Sequence, residues 1–158
     1  MIPIGTIAPD FTLYAAPDQK LQLSQLKGRK VILAFYPADW SPVCGSQMNL
    51  YNEMEDYFVR YDAQLLGISV DSRWCHAAYR EQNDFFFPLL ADFEPKGAVS
   101  KMYEAYDEST GESCRVLYII DEEGVIIWNY LSPIDENPGA DGIFRVLEHS
   151  QALKTIEL

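Results

Sequence analysis

The feature that most constrains the fold of this chain is a continuous apolar segment, Val31–Tyr36. Such a segment is typical of a strand that is buried on both faces of a sheet, and it requires covering layers above and below. A second segment of this kind is Leu65–Val70. Between them, from Pro42 to Tyr61, apolar residues recur three or four positions apart, which predicts one amphipathic helix. Strand, helix and strand in this order predict a parallel βαβ unit.

Further segments extend this unit into an α/β fold. The apolar segments Val116–Ile120 and Val125–Tyr130 flank an acidic turn, Asp121–Gly124, and predict a β-hairpin. Shorter strands are expected before residue 30 and at Phe86–Leu90. Three more segments have helical periodicity: Arg73–Asn83, Pro95–Tyr103 and Ile143–Leu153. No repeat or linker divides the chain, so we expect one α/β domain over residues 1–158, with helices packed on a central sheet.

The charge balance excludes several classes of function. The chain has 12 Lys and Arg residues against 24 Asp and Glu residues, which gives a formal net charge of -12. Such a surface repels phosphate backbones and anionic lipids, so we expect neither a nucleic-acid partner nor a membrane partner. No apolar segment approaches the ~18–20 residues that span a bilayer. The first residues also lack the pattern of a signal peptide.

The three cysteines, Cys44, Cys75 and Cys114, are too few and too odd in number for the disulfide framework of a secreted protein. We therefore expect a cytoplasmic protein whose thiols are reduced at rest. Their spacing contains no CxxC motif. The two histidines, His76 and His149, do not complete a metal-ligand set, and no P-loop or GxGxxG sequence occurs. We expect no metal, haem, flavin or other cofactor.

Cys44 lies where helix chemistry favours an ionised thiol. Ser41 is a good N-cap and Pro42 suits the first helical position, so Cys44 falls in the first turn of the predicted helix. The backbone N–H groups and the helix dipole at that end stabilise an anion. This position also follows the carboxyl end of a buried parallel strand, where α/β folds place ligands. Position alone leaves two alternatives open, a reactive thiolate and an inert buried cysteine.

The residues around this cysteine resemble the active-site signature of the peroxiredoxins, Pro37-x-x-x-Ser41-x-x-Cys44. Four more segments agree with that family in register, namely Gly5-x-x-Ala8-Pro9-Asp10-Phe11, Phe35-Tyr36-Pro37, Gly67–Ser72 and Arg115 at the start of the strand that ends Ile119-Ile120-Asp121. The resemblance covers nearly the whole chain. It is strongest to the short members, the bacterioferritin-comigratory and one-Cys alkyl-hydroperoxide groups. It implies a thioredoxin-like three-layer sandwich with a central mixed sheet and an N-terminal extension.

The resemblance implies a thiol-dependent peroxidase that reduces hydrogen peroxide and organic hydroperoxides. Cys44 would be the peroxidatic nucleophile, whose product is a sulfenic acid. Arg115 would hold the thiolate and polarise the peroxide, and the Ser41 hydroxyl would bond both. Pro37 would shape the loop and screen the sulfur from water. Three of these residues also have a purely structural interpretation. Arg115 would then be an arginine at a strand end, Ser41 an N-cap and Pro37 a strand terminator.

Two residues beside the motif are candidates for supporting roles. Gln47, one helical turn after Cys44, would orient Arg115 or bond the loop, and the alternative is an exposed helical glutamine. Trp40 would line the peroxide entrance or a dimer contact. The resemblance implies a homodimer packed near the active-site edge.

The sequence leaves open how a sulfenic acid at Cys44 is reduced. Cys75 follows the second parallel strand, so both cysteines are expected beyond the same sheet edge, where a disulfide could form if the first helical turn unwound. Cys114 directly precedes Arg115, and neighbouring side chains of an extended segment point in opposite directions. If Arg115 faces Cys44, Cys114 therefore faces away from it. The alternative is a one-Cys mechanism, in which thioredoxin, a glutaredoxin-type protein or a low-molecular-weight thiol attacks the sulfenic acid.

The same motif also serves other classes of protein. A peroxide sensor or redox relay would pass oxidation from Cys44 to a partner protein, whereas an inactive interaction domain would carry an unreactive Cys44. Rapid multiple turnover with a generic reductant distinguishes a peroxidase from both.

Overall fold

A seven-stranded mixed sheet forms the centre of the computed structural model, which describes residues 1–157. The strands in chain order are β1 (Thr12–Ala16), β2 (Gln19–Gln22), β3 (Lys30–Phe35), β4 (Ala63–Ser69), β5 (Leu89–Ala91), β6 (Tyr106–Asp107), β7 (Glu112–Ser113), β8 (Val116–Ile120) and β9 (Ile126–Leu131). The central sheet has the spatial order β2-β1-β5-β4-β3-β8-β9, and β6 and β7 pair separately. Strands β3, β4 and β5 are parallel, and the other strands run antiparallel to their neighbours.

The helices are α1 (Pro42–Glu53), α2 (Glu55–Arg60), α3 (Arg73–Asn83), α4 (Ala98–Met102) and α5 (Asp141–Glu157), with a 3-10 turn at Leu23–Leu26. Strand β3 is buried along its whole length because it lies between two apolar layers. Its alternate residues Ile32 and Ala34 pack against α1, α2, α3 and α5. Val31, Leu33 and Phe35 pack on the opposite face against the N-terminal segment and α4.

The predicted α/β sandwich with a thioredoxin-like fold is confirmed. The parallel pairing of β3 with β4 across α1 and the antiparallel hairpin of β8 and β9 also agree with the sequence patterns. The residues before β3 form the expected N-terminal extension, with β1 paired to β5 and β2 at the edge of the sheet. The predicted domain, residues 1–158, ends at Leu158, which lies outside the described residues.

Several predicted elements differ from the structure. The single helix predicted for residues 42–61 is wrong, because the chain steps at Met54 into a second short helix. There the Met54 N–H bonds the carbonyl of Tyr51, three residues back. The helix predicted from Pro95 begins only at Ala98, after Gly97 with φ +71°. Leu153, which belongs to the predicted helix Ile143–Leu153, is exposed, and the buried residues of α5 end at Leu147.

Among residues 1–157, none of the helices combines the length and the apolar character needed to cross a bilayer.

Candidate active site

The loop after β3 places Cys44 at the carboxyl edge of the sheet. Helix α1 begins at Pro42, and its first helical hydrogen bond joins the Gly45 N–H to the Ser41 carbonyl at 2.8 Å. Cys44 therefore lies in the first turn, and its side chain is 0% exposed. The N–H groups of a first turn have no intrahelical acceptor, so they are available to an anion at the sulfur.

Arg115 reaches the sulfur from the neighbouring strand. Because β8 runs antiparallel to β3, with Val116 opposite Phe35, the residue before β8 lies at the same edge as α1. The Arg115 Nη1 atom is 3.4 Å from Cys44 Sγ, and the arginine is 2% exposed. No salt bridge between Arg115 and a carboxylate occurs within residues 1–157. A buried cation requires a compensating partner, and the Cys44 sulfur is in position to supply the negative charge.

A chain of hydrogen bonds holds the guanidinium in place. Arg115 Nη1 donates to Gln47 Oε1 at 2.8 Å, while Nη2 and Nε donate to the Ile134 carbonyl at 2.8 and 3.2 Å. Gln47 Nε2 donates to the Tyr51 hydroxyl, which donates in turn to the Gly139 carbonyl, both at 3.1 Å. Gln47 is fully buried, so the alternative of an exposed glutamine is wrong. Burial raises the pKa of Tyr51, which keeps its hydroxyl protonated and able to donate.

The Ser41 hydroxyl does not cap α1. Ser41 has the extended backbone of an N-cap residue, with φ −72° and ψ 147°, but its side chain makes no capping hydrogen bond. Ser41 is therefore the N-cap residue by position, as predicted, although its side chain does not make the capping hydrogen bond. The helix does not use the hydroxyl, and Ser41 is half-buried beside the first turn. This leaves the hydroxyl without a capping role.

Pro37 and Trp40 lie in the loop that leads to the site. Pro37 is half-buried after the end of β3. Trp40 has φ +69° and is 53% exposed, and its ring packs against Tyr79 with the centroids 4.8 Å apart. The indole thus lies at the surface, just before the first turn of α1.

A buried network that sequence reasoning missed anchors this loop to β4 and α3. Asp39 Oδ1 accepts from the Tyr36 hydroxyl at 2.6 Å, and Asp39 Oδ2 is 2.7 Å from His76 Nδ1. The Asp39 N–H donates to Asp71 Oδ2 at 2.9 Å. His76 is buried and also contacts the Leu90 carbonyl at 3.1 Å. The available sequence signal for this network was Asp39, an acidic residue within the motif, but its partner His76 lies 37 residues away in the chain.

The other two thiols have surroundings that disfavour ionisation. Cys75 is half-buried in the first turn of α3, where burial and then the charge of Asp39 raise the pKa of its thiol to about 11. Burial and the charge of Asp107 raise the pKa of the Cys114 thiol. Cys114 packs in the cluster on the opposite face of the sheet from Cys44, as the alternation predicted. All three thiols are free.

Gly45 offers a stability test beside the site. A Cβ at this position would lie 3.5 Å from the Tyr79 hydroxyl, an ordinary contact. Because alanine is a better helix former, we expect Gly45→Ala to raise the free energy of unfolding by about 0.5–1 kcal/mol. Differential scanning calorimetry should then show a melting temperature higher by roughly 1–4 °C.

Gly67→Ala is the matched control for this substitution. Its Cβ would lie 2.7 Å from Leu89 Cδ2 and 3.2 Å from Tyr36 Cε1, inside the core. Overpacking of this kind costs about 1–3 kcal/mol, so its melting temperature should fall. A fall of similar size for Gly45→Ala would contradict the stated contact.

The chain has a thioredoxin-like architecture with a buried cysteine beside a buried arginine, and comparison with known proteins gives its family. Residues 4–129 match the AhpC/TSA family. The chain belongs to this family, the peroxiredoxins. Alkyl hydroperoxide reductase E of Mycobacterium tuberculosis is 35% identical over 130 residues, 80% of this chain and 83% of the relative. Peroxiredoxin 2 of Thermoplasma acidophilum is 31% identical over 154 residues, 94% of this chain and 76% of the relative.

Solved structures agree with this assignment. The crystal structure of Enterococcus faecalis AhpC has a TM-score of 0.88 and 25% identity, covering 98% of this chain and 96% of that one. The reduced 2-Cys peroxiredoxin of Plasmodium vivax has a TM-score of 0.87 and 26% identity, covering 96% and 83%. Membership of this family supports a peroxidase function.

Proposed function

We propose that this protein is a peroxidase that reduces hydrogen peroxide and organic hydroperoxides at Cys44, in a single domain acting in the cytoplasm without metal or cofactor. The observation that carries the proposal is the buried contact of 3.4 Å between Arg115 Nη1 and Cys44 Sγ. A guanidinium without a carboxylate partner stabilises a thiolate at this sulfur, and a thiolate is the nucleophilic form of cysteine.

The reaction begins when the Cys44 thiolate attacks one oxygen of the peroxide. An S–O bond forms as the O–O bond breaks, and the departing oxygen leaves as hydroxide or alkoxide, which takes up a proton to become water or an alcohol. Cys44 is oxidised to the sulfenic acid and the peroxide is reduced. Arg115, the Ser41 hydroxyl and the N–H groups of the first turn stabilise the charge that moves onto the departing oxygen. Pro37 and Trp40 shield the sulfur from bulk water.

We further propose that an external thiol reduces the sulfenic acid directly. The alternative is attack by Cys75, but a pKa of about 11 leaves only a small fraction of this thiol ionised at neutral pH. Ser72 also caps α3 at Cys75, accepting from its N–H at 3.1 Å, which holds this turn in place. Thioredoxin, a glutaredoxin-type protein and a low-molecular-weight thiol are the candidate reductants. Following the family, we propose a homodimer.

Intact mass after one equivalent of hydrogen peroxide tests the function and the resolving step together. Thiols are trapped under denaturing conditions. We expect wild type to gain one oxygen, about 16 Da, because the sulfenic acid persists until an outside thiol arrives. The Cys75→Ser variant should gain the same mass.

Each other result has a definite meaning. Loss of two hydrogens by wild type but not by Cys75→Ser would establish Cys75 as the resolving residue and overturn direct reduction. An unmodified protein in persisting peroxide would overturn the peroxidase itself. A single oxidation that passes only to a specific partner protein would instead establish a sensor or relay.

A further inference from the structure

The Tyr79 hydroxyl is the buried side-chain polar atom that has no hydrogen-bond partner within residues 1–157. Tyr79 is 2% exposed, so bulk water does not compensate for the missing bond. The other buried tyrosines all donate: Tyr36 to Asp39, Tyr51 to Gly139, Tyr103 to Pro9 and Tyr118 to Tyr103. Unpaired buried hydroxyls are rare, and this one requires an explanation.

The hydroxyl faces the first turn of α1. A Cβ at Gly45, the residue after Cys44, would lie 3.5 Å from the Tyr79 oxygen. Tyr79 belongs to α3, which follows β4, whereas Arg115 precedes β8. Because β3 lies between β4 and β8, Tyr79 and Arg115 approach the first turn from opposite sides.

The hydroxyl keeps its proton. Burial, followed by the negative charges of Asp39 and of a Cys44 thiolate, raises the pKa of Tyr79 to about 12. At neutral pH the group is therefore protonated and available as a hydrogen-bond donor.

We propose that the Tyr79 hydroxyl donates a hydrogen bond to the oxygen that Cys44 gains on oxidation, and that this bond stabilises the sulfenate of Cys44. This inference rests on the proposed function. In the reduced protein no hydrogen bond joins Tyr79 to the sulfur, and oxidation adds an acceptor oxygen one bond away from that sulfur. A donor next to a sulfenate stabilises its anionic form and lowers the pKa of the sulfenic acid.

This stabilisation affects over-oxidation by a second peroxide. The sulfenate attacks that peroxide: a second S–O bond forms, the O–O bond breaks, and after proton transfer the products are a sulfinate and water. The rate follows the fraction of sulfenate, so its pH profile has its midpoint at the pKa of the sulfenic acid. Losing the Tyr79 hydroxyl moves this midpoint upward.

The experiment compares Tyr79→Phe with the starting protein and with Tyr57→Phe, all in a Cys75→Ser background so that no disulfide competes. Tyr57 is 39% exposed on α2 and serves as the matched control. The rate of sulfinic acid formation in excess hydrogen peroxide is measured by mass across pH. We expect the Tyr79→Phe midpoint to rise by about one pH unit, from the loss of one charge-assisted hydrogen bond. The midpoint for Tyr57→Phe should equal that of the starting protein. The pH dependence of the first oxidation, from thiolate to sulfenic acid, should be the same in all three proteins.

A stability measurement separates this role from a structural one. Since the hydroxyl has no partner among residues 1–157 of the reduced protein, Tyr79→Phe should leave the melting temperature of that form unchanged or raise it, and should lower the melting temperature of the sulfenic form. If Tyr79→Phe and the starting protein had the same pH midpoint, or if reduced Tyr79→Phe were less stable than the reduced starting protein, the role of Tyr79 would be overturned. The proposed peroxidase function would not be affected by either result. A starting protein that never gains an oxygen would overturn the proposed function as well.

Discussion

Cys44→Ser should abolish peroxide consumption, lowering the second-order rate constant by at least ~10³-fold, since removal of a catalytic nucleophile typically costs this much or more. A serine hydroxyl is not ionised near neutral pH, so the oxygen that replaces the sulfur cannot attack the peroxide. The fold should survive, because Arg115 keeps its hydrogen bonds to Gln47 and the Ile134 carbonyl. Stopped-flow or electrode measurement of hydrogen peroxide at several protein concentrations gives the rate constant.

Cys114→Ser is the matched control for this loss. Cys114 packs on the opposite face of the sheet from Cys44, and burial raises the pKa of its thiol, so it should not contribute to the first oxidation. This variant should consume peroxide at close to the wild-type rate. If Cys44→Ser still consumed peroxide at a substantial rate, the reactive thiol would not be Cys44. The same would hold if Cys114→Ser lost this activity while Cys44→Ser kept it.

The strands next to the site could be predicted because their sequence pattern has a single physical solution. A continuous apolar segment such as Val31–Tyr36 is stable only with both faces covered, and the structure buries β3 between two layers. Local reasoning also placed Cys44 in a first helical turn, because a proline at the first helical position favours a helix start there. The step at Met54 was missed because the apolar positions Tyr51 and Phe58 stay in one cluster across it.

The contacts that assemble the site could not be derived from periodicity. Arg115 meets Cys44 across 71 residues and Gln47 across 68, and only the antiparallel register of β8 on β3 brings them together. Resemblance to a family singled out Arg115, whereas the local pattern left Gln47 ambiguous. The Asp39 and His76 pair had no signal beyond an acidic residue in the motif. Long-range hydrogen bonds depend on the completed sheet, so residue-by-residue propensities do not contain them.

Arg115→Met should lower the second-order rate constant with hydrogen peroxide by about 10²–10³-fold, the usual effect of removing one preorganised donor from developing charge. Methionine retains much of the buried volume but removes the cation 3.4 Å from the sulfur. Arg115→Lys keeps the charge and should still lose activity, because a single ammonium cannot reproduce the planar contacts to Gln47 and the Ile134 carbonyl. Rates are compared at equal folded fraction, checked by circular dichroism.

Gln47→Glu separates electrostatics from packing in this prediction. The substitution preserves shape but places a carboxylate where the amide oxygen now lies, 2.8 Å from Arg115 Nη1. This carboxylate would pair with the guanidinium in competition with the Cys44 thiolate, so the rate should fall even though the arginine is intact. Gln47→Met removes the hydrogen bond without adding charge and should be the milder change. If both Gln47 variants and Arg115→Met reacted at the wild-type rate, the buried guanidinium would have no part in activating the thiol.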